Sequence, residues 1–350
     1  MRITNKMITN SYSRNLNKVY SDMNKLSTQV YTQRKFSKSS EDTAAAISAY
    51  QIRQNLSKAQ DYKENILHAQ DFLNNSESVL TLVNGSVQDA VDKIRASLNS
   101  GTISSDERDT FATELKAIRD QIMQTMNSNS TGMYIFGGSN TVEQPFGLTT
   151  LDPADPLYDS LNPDKTYLTY NGQLLKNMSS TQANALAKDG LTVDTGMGLT
   201  IGAAGKADPN SVFTYSITGI EVMSAGYATV GGDQVPNNLY DLLGCVVDEL
   251  EKPDGTYSND KLESLFGKVE DASNAFLLNI TKIGAKTSYL DFMSDRYDTQ
   301  ILSLQERQNH VEVADPALTL ISFSTQKVAY QTALQMGADM IQPSIFNFMD

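Results

Sequence analysis

The sequence predicts a mainly α-helical fold with a β-rich insert. Its N- and C-terminal halves are expected to form a long antiparallel coiled-coil rod, with the β domain at the distal end. Three observations predict this. From Ala45 to Leu98, apolar or small residues recur at steps of three and four, running through Ala49, Ile52, Leu73, Leu80, Val87 and Ile94; their mean period is close to the 3.5 residues of a coiled-coil seam. A second such seam runs from Phe276 through Ile283, Leu290, Tyr297 and Leu304 to Val311. Between them, at about residues 139–238, the chain turns rich in Gly, Pro, Thr and Asn, and short alternating runs replace the heptads.

A helix from Ala45 to Leu98 would reach roughly 80 Å at 1.5 Å per residue. Its stripe needs another long helix to cover it, and the second seam is the natural partner. The length of 350 residues suggests about two domains. Net charge is −13 and the pI about 4.6, which speaks against nucleic acid as a main partner. The single cysteine, Cys245, leaves no intrachain disulfide to form. It falls at helical spacing among Leu239, Leu242, Val246 and Leu250 and is expected to be a small core residue. The opening Met1-Arg-Ile-Thr-Asn-Lys-Met-Ile lacks the apolar stretch of a secretory signal peptide. Nor does any run approach the eighteen apolar residues of a membrane span.

Taken in order, residues 10–35 carry a shorter seam of Tyr12, Leu16, Val19, Met23, Leu26 and Val30, with steps of four, three, four, three and four. A polar loop at Phe36–Asp42 feeds the long helix, with Ser and Asp available as N-caps. After Gly101, Ser104-Ser-Asp-Glu107 offers a capping box. The helix it starts carries Phe111, Leu115, Ile118, Ile122 and Met126, and the short connection folds it back antiparallel. In the insert, Asn171-Gly172 marks a tight hairpin, and Phe213, Tyr215 and Ile217 alternate as in a half-buried strand. Helix resumes at Leu239–Leu250, breaks at Pro253-Asp-Gly255, and runs from about Asn259 to Val311. Asp315-Pro316 starts a final helix with Leu320, Phe323, Tyr330, Leu334 and Ile341. Residues 1–38 are net +7 and residues 306–350 net −3, so charge is expected to help the two ends choose each other. The expected domains are 1–40 with 312–350 as a terminal assembly region, 41–138 with 239–311 as the helical rod, and 139–238 as a variable β-rich outer domain.

Catalytic chemistry finds no foothold. The two histidines, His68 and His310, fall inside predicted helices, and the insert holds neither His nor Cys, the usual zinc ligands. No phosphate-binding loop, nucleophile elbow or paired-cysteine motif occurs. Gly196-Met-Gly198-Leu-Thr-Ile-Gly202 is spaced one residue too wide for a dinucleotide fingerprint. No cofactor, metal or enzymatic activity is expected.

The ends carry a family resemblance. Met1-Arg-Ile-Thr, Ser39-Ser-Glu-Asp-Thr-Ala-Ala-Ala46 and Ile283-Gly-Ala-Lys with Leu290-Asp291 resemble the bacterial flagellar axial proteins, the flagellin and hook-associated group. Met7, the exit Tyr134-Ile-Phe-Gly-Gly138 and the ending Ser344-Ile-Phe-Asn-Phe348 are similar to the hook–filament junction branch of that group, the hook-associated protein 3 family. The resemblance covers roughly residues 1–138 and 239–350. It implies a structural protein of the flagellum, exported without a cleaved signal and held beforehand by an export chaperone. Outside the cell it would form a ring joining hook-associated protein 1 to flagellin.

Isolated terminal helices are marginal, so residues 1–38 and 312–350 are expected to be mobile in the lone subunit and to become ordered on assembly. The residues expected to carry assembly are Leu16, Val19, Met23, Leu26, Leu334, Ile341, Ile345 and Phe346. Two alternatives stay open: a flagellin-type filament subunit, and a secreted coiled-coil protein that binds surface ligands through its insert.

Overall fold

The computed structural model describes residues 5–99, 103–151, 153, 165–176, 178–201, 207–208, 211–230 and 233–341. The chain opens with helices α1 (Asn5–Thr32), α2 (Thr43–Asn99) and α3 (Ser105–Met126). The insert follows, with strands β1 (Asn129–Ser130), β2 (Met133–Tyr134), β3 (Phe146–Thr150), β4 (Thr166–Tyr170) and β5 (Gln173–Leu174). It continues through α4 (Ser180–Ala187), β6 (Thr192–Val193), β7 (Phe213–Thr214), α5 (Gly219–Met223), β8 (Tyr227–Val230) and β9 (Asp233–Pro236). Helices α6 (Leu239–Leu250), α7 (Asn259–Glu312) and α8 (Pro316–Ile341) complete it. The fold is mainly helical with a small β-containing insert, as the heptads and the compositional break predict. The described residues fall into two compact units: those up to 61 with those from 297 onward, and residues 62–296.

In the larger unit α2 and α7 run antiparallel. Gln70 donates to Asp291 at 2.5 Å, Gln88 to Ser273 at 2.8 Å and Arg95 to Glu270 at 3.0 Å, so one number rises as the other falls. The predicted seam is the buried one: Ile66, Leu73, Leu80, Val83, Val87 and Ile94 on α2 are fully covered, as are Ile283 and Leu290 on α7. The capping box forms as read, with Ser104 and Glu107 each bonding the other's backbone N–H. Helix α3 then returns along α2, where Lys93 pairs with Glu114 at 2.7 Å. Its buried Leu115, Ile122 and Met126 join Leu242, Leu243 and Val246 of α6 in the core.

Arg108 locks one corner of this unit. Its guanidinium is almost wholly buried, donates to the carbonyls of Leu250, Ile103 and Lys252 and to Asp254 at 2.6 Å, and stacks 4.6 Å above the Tyr257 ring. The turn between α6 and α7 is thereby fastened to the start of α3.

The insert is held by backbone mimicry. The Asn127 side chain both accepts from and donates to the backbone of Phe146, each at 2.9 Å, as a strand neighbour would. Strands β3, β4 and β5 form an antiparallel sheet. Its tight turn is the predicted Asn171-Gly172, with φ of 48° and 76°, the positive values of a type I′ hairpin. Tyr170 donates to the Phe136 carbonyl at 2.9 Å, and burial raises its pKa. Gly219 lies flat against Phe146 and Tyr170, where a Cβ would come within 2.5 Å of the Phe146 ring.

Two details differ from expectation. The run Phe213–Ile217 forms only a two-residue strand before the chain turns in to bury Ser216 and Ile217. Ser179-Ser-Thr-Gln182 starts an unpredicted helix, α4, through its own Ser179–Gln182 capping box. Cys245 is half-buried on α6, and burial holds its thiol pKa above the ordinary value.

Candidate assembly surface at the terminal helices

In the smaller unit α1 and α8 pack against each other antiparallel. The Tyr12 hydroxyl donates to the Ala333 carbonyl at 2.8 Å, Gln326 donates to the Val19 carbonyl at 3.4 Å, and the Tyr20 and Tyr330 rings lie 5.7 Å apart. On α1 the predicted seam survives intact: Tyr12, Leu16, Val19, Met23, Leu26 and Val30 are all half-buried, while their neighbours outside the stripe are mostly exposed. One partner helix covers only part of such a stripe, so half-burial is what a two-helix contact gives.

On α8 the phase differs from the predicted stripe. The less exposed residues are Thr319, Phe323, Gln326, Tyr330, Ala333 and Gly337, at steps of four, three, four, three and four. Phe323 and Tyr330 belong to this row, whereas Leu320 and Leu334 are exposed. The cause is that α8 is apolar on nearly every side, so periodicity alone cannot select its buried face. The small residues decide, because Gly337 lets the Tyr12 ring lie almost on the backbone.

This leaves a second apolar row on α8. Leu318, Ile321, Val328 and Met336 are between 56 and 63 % exposed. With Thr325 and Thr332 they fall at near-heptad spacing on the side turned away from the row that meets α1. A helix apolar all round is normally buried all round, so this face lacks its cover.

The α1–α2 and α7–α8 linkers are joined to each other. Lys35 N–H donates to the Glu312 carbonyl at 2.8 Å and Ala314 N–H to the Gln33 carbonyl at 2.9 Å, around an antiparallel bridge of Arg34 and Val313. Gln33 takes φ of 56° to make the turn. Arg53 grips Glu312 through both carboxylate oxygens at 2.7 and 2.5 Å, and Gln308 adds a third contact. The hydrogen bonds from Arg53 hold the Glu312 carboxyl below the usual carboxylate range, against the opposing effect of its burial. Helix starts are capped as predicted: Asp42 accepts from Ala45 N–H at 2.9 Å, and Asp315 from Ala317 N–H at 2.9 Å.

Of the residues expected to carry assembly, Leu16, Val19, Met23 and Leu26 lie in the α1 seam and Leu334 is exposed on α8. Ile341 is the last residue of α8, and Ile345 and Phe346 lie outside the described residues. The row through Ile321 and Val328 was missed, although its spacing stands in the sequence; the brighter aromatic pair Phe323 and Tyr330 masks it. The expected charge pairing of the two ends does not occur between α1 and α8 among the described residues. Their contact is made by apolar groups and hydrogen bonds to backbone, because the cations of α1 sit on its far side. Among the described residues no group of His, Cys, Asp and Glu side chains is arranged to hold a metal ion, and no helix is long and apolar enough to cross a membrane.

Comparison with known proteins adds to this geometry. Residues 3–141 match the bacterial flagellin N-terminal helical region. The chain is 24% identical over 353 residues to flagellar hook-associated protein 3 of Salmonella typhimurium and 23% identical over 353 residues to that of Escherichia coli, covering 99% of this chain and of each relative. Its fold resembles that of a flagellar hook-associated protein structure from Vibrio parahaemolyticus, with a TM-score of 0.55, 19% identity, and coverage of 78% of this chain and 100% of that one. The long paired helices, the inserted sheet and this similarity agree with the resemblance read at the two ends: the chain resembles the flagellin-like bacterial axial proteins and is similar over nearly its whole length to hook-associated protein 3.

Proposed function

We propose that the protein is a structural subunit of the bacterial flagellum that adapts the hook side, ending in hook-associated protein 1, to flagellin. The observation that carries this is similarity over 99% of both chains to two proteins named flagellar hook-associated protein 3. The uncovered face of α8 supports it physically. A subunit that leaves an apolar helix face open gains free energy when neighbours cover it, roughly 25 cal/mol per Å² of apolar surface removed from water.

In this reading α1 and α8 form the assembly region, with the Leu16, Val19, Met23 and Leu26 seam holding the pair together. Leu318, Ile321, Val328, Leu334 and Met336 meet neighbouring subunits, and Ile341, Ile345 and Phe346 are expected to take part in assembly with them. Residues 41–138 with 239–311 are the frame, and 139–238 the outer domain. The subunit acts outside the cell, in a ring of its own copies, after export without a cleaved signal and with an export chaperone as its cytoplasmic partner. No catalysis is needed for this role.

Deleting the gene and viewing the cells by electron microscopy tests the reading. Hooks without filaments, with flagellin shed into the medium, are expected; normal filaments would overturn it. The match of residues 3–141 to the flagellin N-terminal region favours one second reading, a filament subunit. That reading predicts long filaments from the purified protein alone, where the junction reading predicts none.

A further inference from the structure

The outer face of α1 is chemically unlike that of α8. Arg14, Lys18 and Lys25 are all exposed and spaced four and seven residues apart, which sets them in one row on the side away from the seam. Asp22 is the only acid in the helix. Among the described residues no carboxylate lies within ion-pair distance of these three cations; Arg14 donates to the carbonyl of Asn10 at 3.3 Å, and the Glu41 pKa is lowered by the hydrogen bond from Ser37 N–H and in part by the charge of Lys25. Helix α8 is poor in charge, with Lys327 and Asp339 its only charged residues.

The rest of the chain is the reverse. Residues 1–38 hold eight Lys or Arg against Asp22, a net +7, in a chain of net −13, so the remaining residues carry −20. Those acids lie mainly outside the terminal helices, with residues 39–305 at net −17, so the carboxylates that a second copy offers to the basic row come from that part of its chain. Complementary charge of this kind orients and selects partners more than it adds raw affinity.

Resting on the junction reading, we infer that Arg14, Lys18 and Lys25 form a docking ridge for carboxylates on a second copy of this chain in the assembled ring. The apolar row of α8 supplies the burial, and the basic row of α1 sets which neighbour is accepted and in what orientation. An anionic membrane is the poorer occupant. A membrane-surface helix places bulky apolar residues opposite its cations, and here that opposite side already meets α8.

The test adds purified protein to hooks isolated from cells lacking the gene, which bypasses export. Wild type is compared with R14Q/K18Q/K25Q and R14E/K18E/K25E at 50 and 500 mM NaCl. Retained copies are counted by immunogold, and copy-to-copy contacts are read after carbodiimide, which joins Lys amines to carboxylates. Circular dichroism checks that each variant keeps its helices. The glutamine variant is expected to lose about tenfold in retained copies at low salt, the combined effect of three exposed ion pairs. It should also lose the Lys18- and Lys25-linked dimers and the salt dependence seen in wild type. Retention and cross-linking by the glutamate variant equal to wild type would overturn the inference alone. Failure of wild type to attach at all would overturn the junction reading together with it. Binding to phosphatidylglycerol vesicles that disappears in the variants, with hook occupancy unchanged, would assign the row to a membrane and likewise overturn it.

Discussion

Gly337 lies directly beneath the Tyr12 ring, so close that a Cβ at position 337 would stand 2.1 Å from the phenol oxygen. The same hydroxyl donates to the Ala333 carbonyl one turn earlier on α8. The pair shows how the terminal helices approach: an aromatic on one fills the gap left by the smallest residue on the other.

Gly337→Ala therefore sets two effects against each other. Alanine favours a helix interior by about 1 kcal/mol over glycine, but here it must displace Tyr12 and break its hydrogen bond, at a cost of about 1–3 kcal/mol. Loss of stability is expected in wild type and a gain of about 1 kcal/mol in a Tyr12→Ala background. A double-mutant cycle on thermal unfolding reads the difference; the same sign in both backgrounds would contradict the contact.

The two faces of α8 should separate folding from assembly. Ile321→Asp with Val328→Asp changes only exposed side chains, so the unfolding free energy should move by no more than about 0.5 kcal/mol per site. Attachment to hooks should nevertheless be lost. Leu26→Asp, in the half-buried seam of α1, should loosen the pair itself, read as faster amide exchange in α1 and α8.

Glu312 gives a pH dependence with a defined sign. Its carboxyl pKa is lowered in the fold, chiefly by hydrogen bonds from Arg53. The stabilisation is thus present above the unfolded value of about 4.3 and lost as pH falls through the lower folded value. Half-exposure of Arg53 screens the pair, so Glu312→Gln is expected to cost about 1 kcal/mol at pH 7 and much less at pH 3. Urea unfolding at the two pH values measures it.

Arg108 is a costly residue to remove from the larger unit, because its guanidinium is buried and fully engaged. Arg108→Met leaves the carbonyls of Ile103, Leu250 and Lys252 without this donor, an expected loss of about 2–4 kcal/mol. Limited proteolysis should then cut between Lys252 and Tyr257, where wild type resists.

Much of this architecture was legible because long heptad seams are redundant signals. Fifteen seam positions between Ala45 and Ile94 all come out buried or half-buried, so a single slip in phase could not hide the helix. Helix α6 was plain from its apolar spacing and the start of α8 from Asp315-Pro316; in the structure Asn238 caps α6. The insert was less legible. Its strands are mostly two to five residues long, too short for alternation to build up, and only the Asn171-Gly172 turn stood out. Ser179 lies outside any periodic run, and it caps α4. At the candidate surface α1 could be read and α8 could not, because a seam shows in sequence only against a polar background, and α8 has almost none.

The Tyr12–Ala333 bond joins residues 321 positions apart. A contact at that separation must wait for nearly all of the chain to be present and must close a very long loop, whose entropic cost local helix contacts never meet. The α2–α3 and α3–α6 packing has no such delay. Folding is thus expected to run from the middle of the chain outward, with α1, synthesised long before α8, late to find its mate. Until then its apolar seam stays open and its residues remain an unpaired, extensible end.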